Sequence, residues 1–135
     1  MSNPFCFEVV TPERVVFDQP VESLVVPGVE GYLGVLYNHA PMVVHLRIGV
    51  VRYREPGGDL KRMAISGGFL EVADNRAVIL ADTAELAAQI DVMRARAAKE
   101  RALRRLAGRR EEIDFDRAQA ALQRAIARLR AVGEE

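Results

Sequence analysis

The chain changes character near Asp82-Thr83, and that seam constrains what it can fold into. Before it, short β-branched runs are broken by Gly and Pro, and all six prolines lie there. After it, Ala, Leu and Arg dominate, with two glycines and no proline. The first segment carries the punctuation of strands and turns, the second that of uninterrupted helices. Charge shifts at the same place. Residues 1–83 hold 7 basic and 10 acidic side chains, net −3, and residues 84–135 hold 12 and 9, net +3. The zero overall balance conceals an acidic β module joined to a basic helical arm. Such a pairing suggests a binding or regulatory part more than an enzyme.

The expected fold class is α+β: a β-sandwich or flattened barrel over 1–82, then an antiparallel two-helix hairpin over 83–135. In the first part, Phe5, Phe7 and Val9 alternate with Cys6, Glu8 and Val10, the period of a half-buried strand. Asp18-Gln19-Pro20 is expected as a turn, and Met42–Leu46 and Ile48–Arg54 as two strands. Gly57-Gly58 marks a hairpin between Val50–Arg54 and Leu60–Ile65. A second hairpin joins Phe69–Val72 to Ala77–Leu80 across Ala73-Asp74-Asn75-Arg76. Turns about every ten residues suit a sandwich or barrel.

Several chemistries find no support in the residues. Neither His39 nor His45 stands at metal-ligand spacing from Cys, Asp or Glu, so no metal site is expected. No serine sits in a nucleophile elbow, and no catalytic residues are expected. Gly28-Val29-Glu30-Gly31-Tyr32-Leu33-Gly34 lacks the Lys-Ser/Thr of a P-loop and reads as tight turns. Three Tyr, five Phe and no Trp make an extended base-stacking platform a poor fit. No apolar run approaches the ~20 residues of a membrane span. No secretory signal is expected from Met-Ser-Asn-Pro-Phe, and the single Cys6 fits a reducing compartment.

In the arm, Asp82-Thr83-Ala84-Glu85 matches a capping box, which predicts a first helix from about Thr83 to Ala107, stopped by Gly108. Its apolar row would be Leu86, Ile90, Met93 and Ala97. Asp114 is the expected cap of a second helix with the stripe Phe115, Ala118, Leu122, Ala125, Leu129 and Val132, a coiled-coil spacing. The stripe is rich in alanine, so the hairpin should close weakly while each helix remains intrinsically stable.

Four motifs in order along the chain carry a family resemblance. They are Pro27-Gly28-Val29-Glu30-Gly31-Tyr32-Leu33-Gly34-Val35-Leu36, Asn38-His39-Ala40-Pro41, Ser66-Gly67-Gly68-Phe69-Leu70-Glu71-Val72 and Leu80-Ala81-Asp82-Thr83-Ala84-Glu85. Together they resemble the ε subunit of bacterial F-type ATP synthase over essentially the whole chain. The resemblance implies a noncatalytic rotor subunit of the central stalk. It would couple the catalytic head to the c ring and inhibit ATP hydrolysis through an extendable helical arm. Its partners would be the γ subunit, the c-subunit ring and, with the arm extended, the α/β head. Self-association is open for the isolated chain, and no nucleic acid partner is expected. The location implied is a peripheral membrane complex on the cytoplasmic face of the bacterial plasma membrane.

Ile90-Asp91-Val92-Met93-Arg94-Ala95 with the later Arg101 resembles the ATP-binding signature of the bacilli-type members. ATP would then be a regulatory ligand that holds the arm folded, with no catalytic cofactor. The implied contacts are Glu85, Asp91, Arg94, Ala95 and Arg101, with Arg124 and Arg128 on the second helix. The resemblance assigns Arg104, Arg105, Arg109 and Arg110 to an inhibitory contact with the β subunit, and Glu30, Tyr32 and His39 to the c ring. On spacing alone, Asp91, Arg94 and Arg101 share one helix face, as do Arg124 and Arg128, and guanidinium groups suit phosphate. The same arginines also fit two rivals: a nucleic-acid-binding module using the basic hairpin, and a free-standing adenylate sensor.

Overall fold

The structure is a computed structural model that describes residues 3–108 and 112–135. Eight strands come first: β1 (Phe5–Val10), β2 (Val15–Val21), β3 (Ser23–Gly28), β4 (Gly31–Val35), β5 (Met42–Arg54), β6 (Leu60–Ala73), β7 (Arg76–Ala81) and β8 (Ala84–Leu86). A 3₁₀ turn at Ala87–Gln89 leads to helices α1 (Val92–Gly108) and α2 (Glu112–Ala131). The β module followed by two helices is the expected class.

Hydrogen bonding runs in the order β2-β1-β7-β6-β5-β3-β4, with β8 added to β6. Two long strands make this a sandwich. β6 pairs with β5 along nearly its whole length, while Gly68–Ala73 at its end also pair with β7 and Met63–Ile65 in its first half with β8. The core therefore forms between two layers that share β5 and β6. The expected breaks near Arg47 and Gly67 do not end these strands, which continue for 13 and 14 residues. Instead β6 turns a corner at Gly67 and Gly68, with φ of 100° and 138°. A Cβ on Gly68 would lie 2.0 Å from the Leu80 carbonyl oxygen. Only glycine allows both that backbone conformation and that approach.

Alternation in β1 is as expected: Phe5, Phe7 and Val9 are buried and Cys6 faces outward. Asp18-Gln19-Pro20 does not turn but continues β2, with Pro20 opposite Cys6. β2 is an edge strand, where a residue without an N–H interrupts no ladder. Asp74 and Asn75 adopt φ of 51° and 58°, the two-residue hairpin geometry that asparagine and aspartate tolerate. Phe7, Phe17 and Tyr53 pack as tilted rings 4.8 to 6.0 Å apart in the core.

The first helix begins nine residues later than the capping box suggested. Ser66 N–H donates to the Thr83 carbonyl, Asp82 N–H donates to the Gly67 carbonyl, and the Ser66 and Thr83 hydroxyls meet at 2.6 Å. These bonds commit Asp82 and Thr83 to the corner of β6, and Ala84–Leu86 then pair with Met63–Ile65. Asp91 takes over as cap: its Oδ1 accepts from the Arg94 N–H at 3.1 Å. The expected row Leu86-Ile90-Met93-Ala97 is accordingly broken. Met93 is 72% exposed and Ala97 is exposed, whereas Ala95 and Ala102, two helical turns apart, are buried. In α2 the expected stripe survives at Ala118, Ala125 and Leu129, but Phe115 is exposed. α2 starts at Glu112, two residues before the Asp114 expected to cap it. It ends at Ala131 and is closed by Gly133, φ 79°, with Glu134 N–H returning to the Leu129 carbonyl.

The hairpin lies folded on the sandwich. Ala127 and Ala131 of α2 pack with Ile90 against Val50 and Ala64. The sandwich core has nineteen buried residues, while this seam has five, three of them alanine. At ~0.8 kcal/mol per buried methylene the core contributes tens of kcal/mol and the seam only a few. The sandwich should thus outlast the docking.

Two outcomes follow from this packing. Gly68→Ala should lower unfolding free energy by about 3 kcal/mol or more, since the new methyl meets backbone. Urea titration of the two proteins measures it, and a loss under ~0.5 kcal/mol would contradict the corner described. Burial raises the Tyr53 phenol above its ordinary 10.0 against a smaller opposing effect of Lys61. The stabilisation from keeping it neutral is complete below the unfolded value and is lost as pH rises through the folded one. Alkaline unfolding above about pH 10 should therefore weaken in Tyr53→Phe, and an unchanged profile would exclude this cause.

Candidate functional site

The described ends of the arm present two distinct charged regions. At the base, β8 carries Glu85 beneath α2, and Arg128 Nε donates to Glu85 Oε1 at 2.6 Å. Both side chains are about one-third exposed, so the pair is partly shielded from water. Arg124 stands one turn earlier on the same face of α2 and is half-buried. Asp91 and Arg94 lie at the start of α1, tied through the cap bond rather than through their side-chain charges. Ala95 is only 2% exposed, so its methyl serves the helix pair and offers no open floor for a flat base.

Near the far end, Arg101 joins Arg104, Arg105, Gly108, Asp114, Arg117 and Ala118 around a cleft of about 630 Å³. Arg104 also reaches Glu100, 3.7 Å away on the exposed face. Arg94 and Arg101 are seven residues apart, or ~10 Å along the helix. The sequence set is therefore divided in space: Glu85 meets Arg128 at the base, and Arg101 stands with Arg104 and Arg105 in the distal cleft. Arg109 and Arg110 lie outside the described residues. Arg117 is a cleft residue not singled out from the sequence. Its signal was its place seven residues before Arg124, on the same helix face.

The three residues assigned to the c ring occupy two segments. Glu30 is exposed in the turn between β3 and β4, and Tyr32 is exposed on β4. His39 lies in the loop before β5, where its Nδ1 is 2.7 Å from the Ala40 carbonyl oxygen. That loop is anchored by Asn38 N–H donating to Asn75 Oδ1 at 2.7 Å. Tyr32 is covered by the guanidinium groups of Arg47 and Arg52, 5.0 and 5.5 Å from its ring centre.

Comparison with known proteins gives a consistent answer. Residues 4–87 match the family described as ATP synthase, Delta/Epsilon chain, beta-sandwich domain. Residues 88–133 match ATP synthase, Delta/Epsilon chain, long alpha-helix domain. The chain is 58% identical over 111 residues to the ATP synthase epsilon chain of Syntrophomonas wolfei, covering 82% of this chain and 81% of that one. It is 57% identical over 103 residues to that of Symbiobacterium thermophilum, covering 76% and 73%. A chain in the Euglena gracilis mitochondrial ATP synthase structure (OSCP/F1/c-ring) superposes with a TM-score of 0.82 at 25% identity, covering 95% of this chain and 80% of that one. A chain from the Tetrahymena thermophila mitochondrial central stalk and c-ring shares the fold, with a TM-score of 0.60 at 15% identity over 97% and 98%. With the two domain matches spanning nearly its full length, the chain belongs to the ATP synthase delta/epsilon-chain family, as a noncatalytic subunit of structural and regulatory kind.

Proposed function

We propose that this chain is the ε-type rotor subunit of a bacterial F-type ATP synthase, and that its helical hairpin is a releasable arm. The observation that carries the second half is the seam. The arm rests on the sandwich through five buried apolar residues, the partly buried Ile48 and Val132 beside them, and the Glu85–Arg128 pair. A seam of that size holds the arm without locking it. The relatives named above are ATP synthase epsilon chains, which supports the first half. The Euglena and Tetrahymena chains come from assemblies containing the c-ring, which supports a place at the rotor.

In this reading the sandwich docks on the γ subunit and the c ring, with Glu30 and His39 towards the ring and Tyr32, whose side chain lines the cleft beneath the end of α2, at the edge of that surface. Among the described residues no helix is long and apolar enough to cross a membrane. Attachment to the membrane would then come through those partners, on the cytoplasmic face. The extended arm enters the α/β head, and Arg104, Arg105, Arg109 and Arg110 meet the β subunit to oppose hydrolysis.

ATP is the signal that keeps the arm down. Glu85 and Asp91 are carboxylates suited to accept from an adenine amino group. Arg94, Arg124 and Arg128 supply guanidinium donors for phosphate at the base of the arm, and Arg101, which stands in the distal cleft, would have to turn back along α1 to join them. Glu85 Oε1 already holds Arg128, which leaves Oε2 for the base. The buried Ala95 acts by letting the helices approach. ATP shifts the arm only by its preference for the folded form over the extended one.

Titrating the isolated protein with ATP tests the sensor. Saturable binding is expected at millimolar ATP or below, weakened about tenfold or more by Arg94→Ala or Arg124→Ala. A featureless titration would overturn it. Glu85→Gln should loosen the arm by ~1 kcal/mol, the scale of a partly exposed pair, and so raise its extended fraction several-fold. Energy transfer between labels on the sandwich and α2 reads that fraction. The rotor assignment predicts lost coupling of proton flow to ATP turnover in a complex reconstituted without the chain, and retained coupling would reject it.

A further inference from the structure

We infer that a second anion site lies on the opposite flank of α2 from Glu85, and that a phosphate-bearing anion bound there clamps the arm to the sandwich. A cleft of about 340 Å³ opens where the C-terminal end of α2 meets β4, β5 and β6. Its lining includes Arg52 of β5, Arg62 of β6, Arg130 of α2 and the ring of Tyr32. Arg52 and Arg62 are direct cross-strand partners. Like charges placed opposite each other destabilise a sheet. Among the described residues, none of these three arginines forms an ion pair. Glu135 also lines the cleft, and its Oε2 is held by Lys99 Nζ at 2.7 Å.

Arginines from three elements therefore line one open space. Arg52 is steadied over the Tyr32 ring, and Arg47 covers the same ring while its Nε donates to the Gly28 carbonyl at 3.2 Å. A planar carboxylate offers two oxygens in one plane. A phosphate offers three or more in a tetrahedron, which suits donors arriving from three directions, and its charge relieves their mutual repulsion. Because Arg130 travels with α2, the site is complete only when the arm is down. An anion there must favour the docked arm by linkage. Residues 128 and 130 are separated by ~200° around the helix, so this site is distinct from the Glu85–Arg128 face and does not depend on ATP sensing.

The test uses the full chain, titrated calorimetrically with sodium pyrophosphate at constant ionic strength. In parallel it is sedimented with phosphatidylcholine vesicles with and without anionic phospholipid. Saturable pyrophosphate binding identifies a soluble phosphate ligand, and sedimentation restricted to anionic vesicles identifies a lipid headgroup. In either case Arg62→Gln and Arg130→Gln should each weaken binding by about tenfold or more, while Arg124→Gln, which removes a guanidinium of the nucleotide face without breaking the Glu85–Arg128 pair, changes it less than about twofold. Arg62→Glu should abolish anion binding yet raise the Tm of the anion-free protein, because it turns a repulsive cross-strand pair into an attractive one. The inference is overturned if neither arm shows binding. It is also overturned if binding survives Arg62→Gln and Arg130→Gln, or is lost instead with Arg124→Gln. That last result would assign the anion to the nucleotide face.

Discussion

The structure depends on how closely β6 passes Leu80 at its corner. At Gly68 the backbone leaves room for a hydrogen and nothing larger. That approach lets a single strand pass from one layer to the other, so that one half pairs with β7 and the other with β8. It also fixes where the chain goes next. The Gly67 carbonyl and the Ser66 N–H bind Asp82 and Thr83, and β8 follows along Met63–Ile65. Glu85 is then delivered beneath α2 at hydrogen-bonding distance from Arg128. The ion pair at the base of the arm is thus a remote consequence of two glycines.

The same dependence explains which features the sequence disclosed. Period-2 alternation found β1 because one face of that strand is buried and the other is not. The Gly57-Gly58 and Asp74-Asn75 hairpins were readable because their backbones need left-handed residues, and Gly, Asp and Asn supply them. Pro20 misled, since a proline is compatible with either a turn or an edge strand and only the sheet order distinguishes them. The Asp82–Glu85 capping box misled for a parallel reason. Its pattern is local, but the backbone groups it would have capped are taken by a strand fifteen residues earlier.

The site was readable in part. Residue type and spacing pointed to guanidinium groups on shared helix faces, and Arg124 and Arg128 do share one. Spacing could not reveal that Glu85 sits on a strand, nor that α1 turns Ala95 inward and Met93 outward. A helix start displaced by nine residues changes which side chains exist on a helix at all. The cross-strand meeting of Arg52 and Arg62 was also hidden. It follows from the β5–β6 register, which the hairpin loop sets.

The two flanks of α2 differ in how they can act. On one, Glu85 and Arg128 already neutralise each other, so a ligand must share an existing pair. On the other, Arg52, Arg62 and Arg130 meet with no carboxylate paired to them among the described residues, so a ligand would complete the set. The apolar seam between the flanks is small, with alanine at three of its five buried positions, and supplies little force of its own. Alanine keeps α2 helical whether or not it is packed, so undocking need not unfold the arm. A weak apolar seam flanked by charge makes the docked state sensitive to small anions. A larger seam of leucines would hold the arm whatever was bound. In the proposed reading, the poverty of the seam is what allows a ligand worth only a few kcal/mol of differential binding to decide where the arm lies.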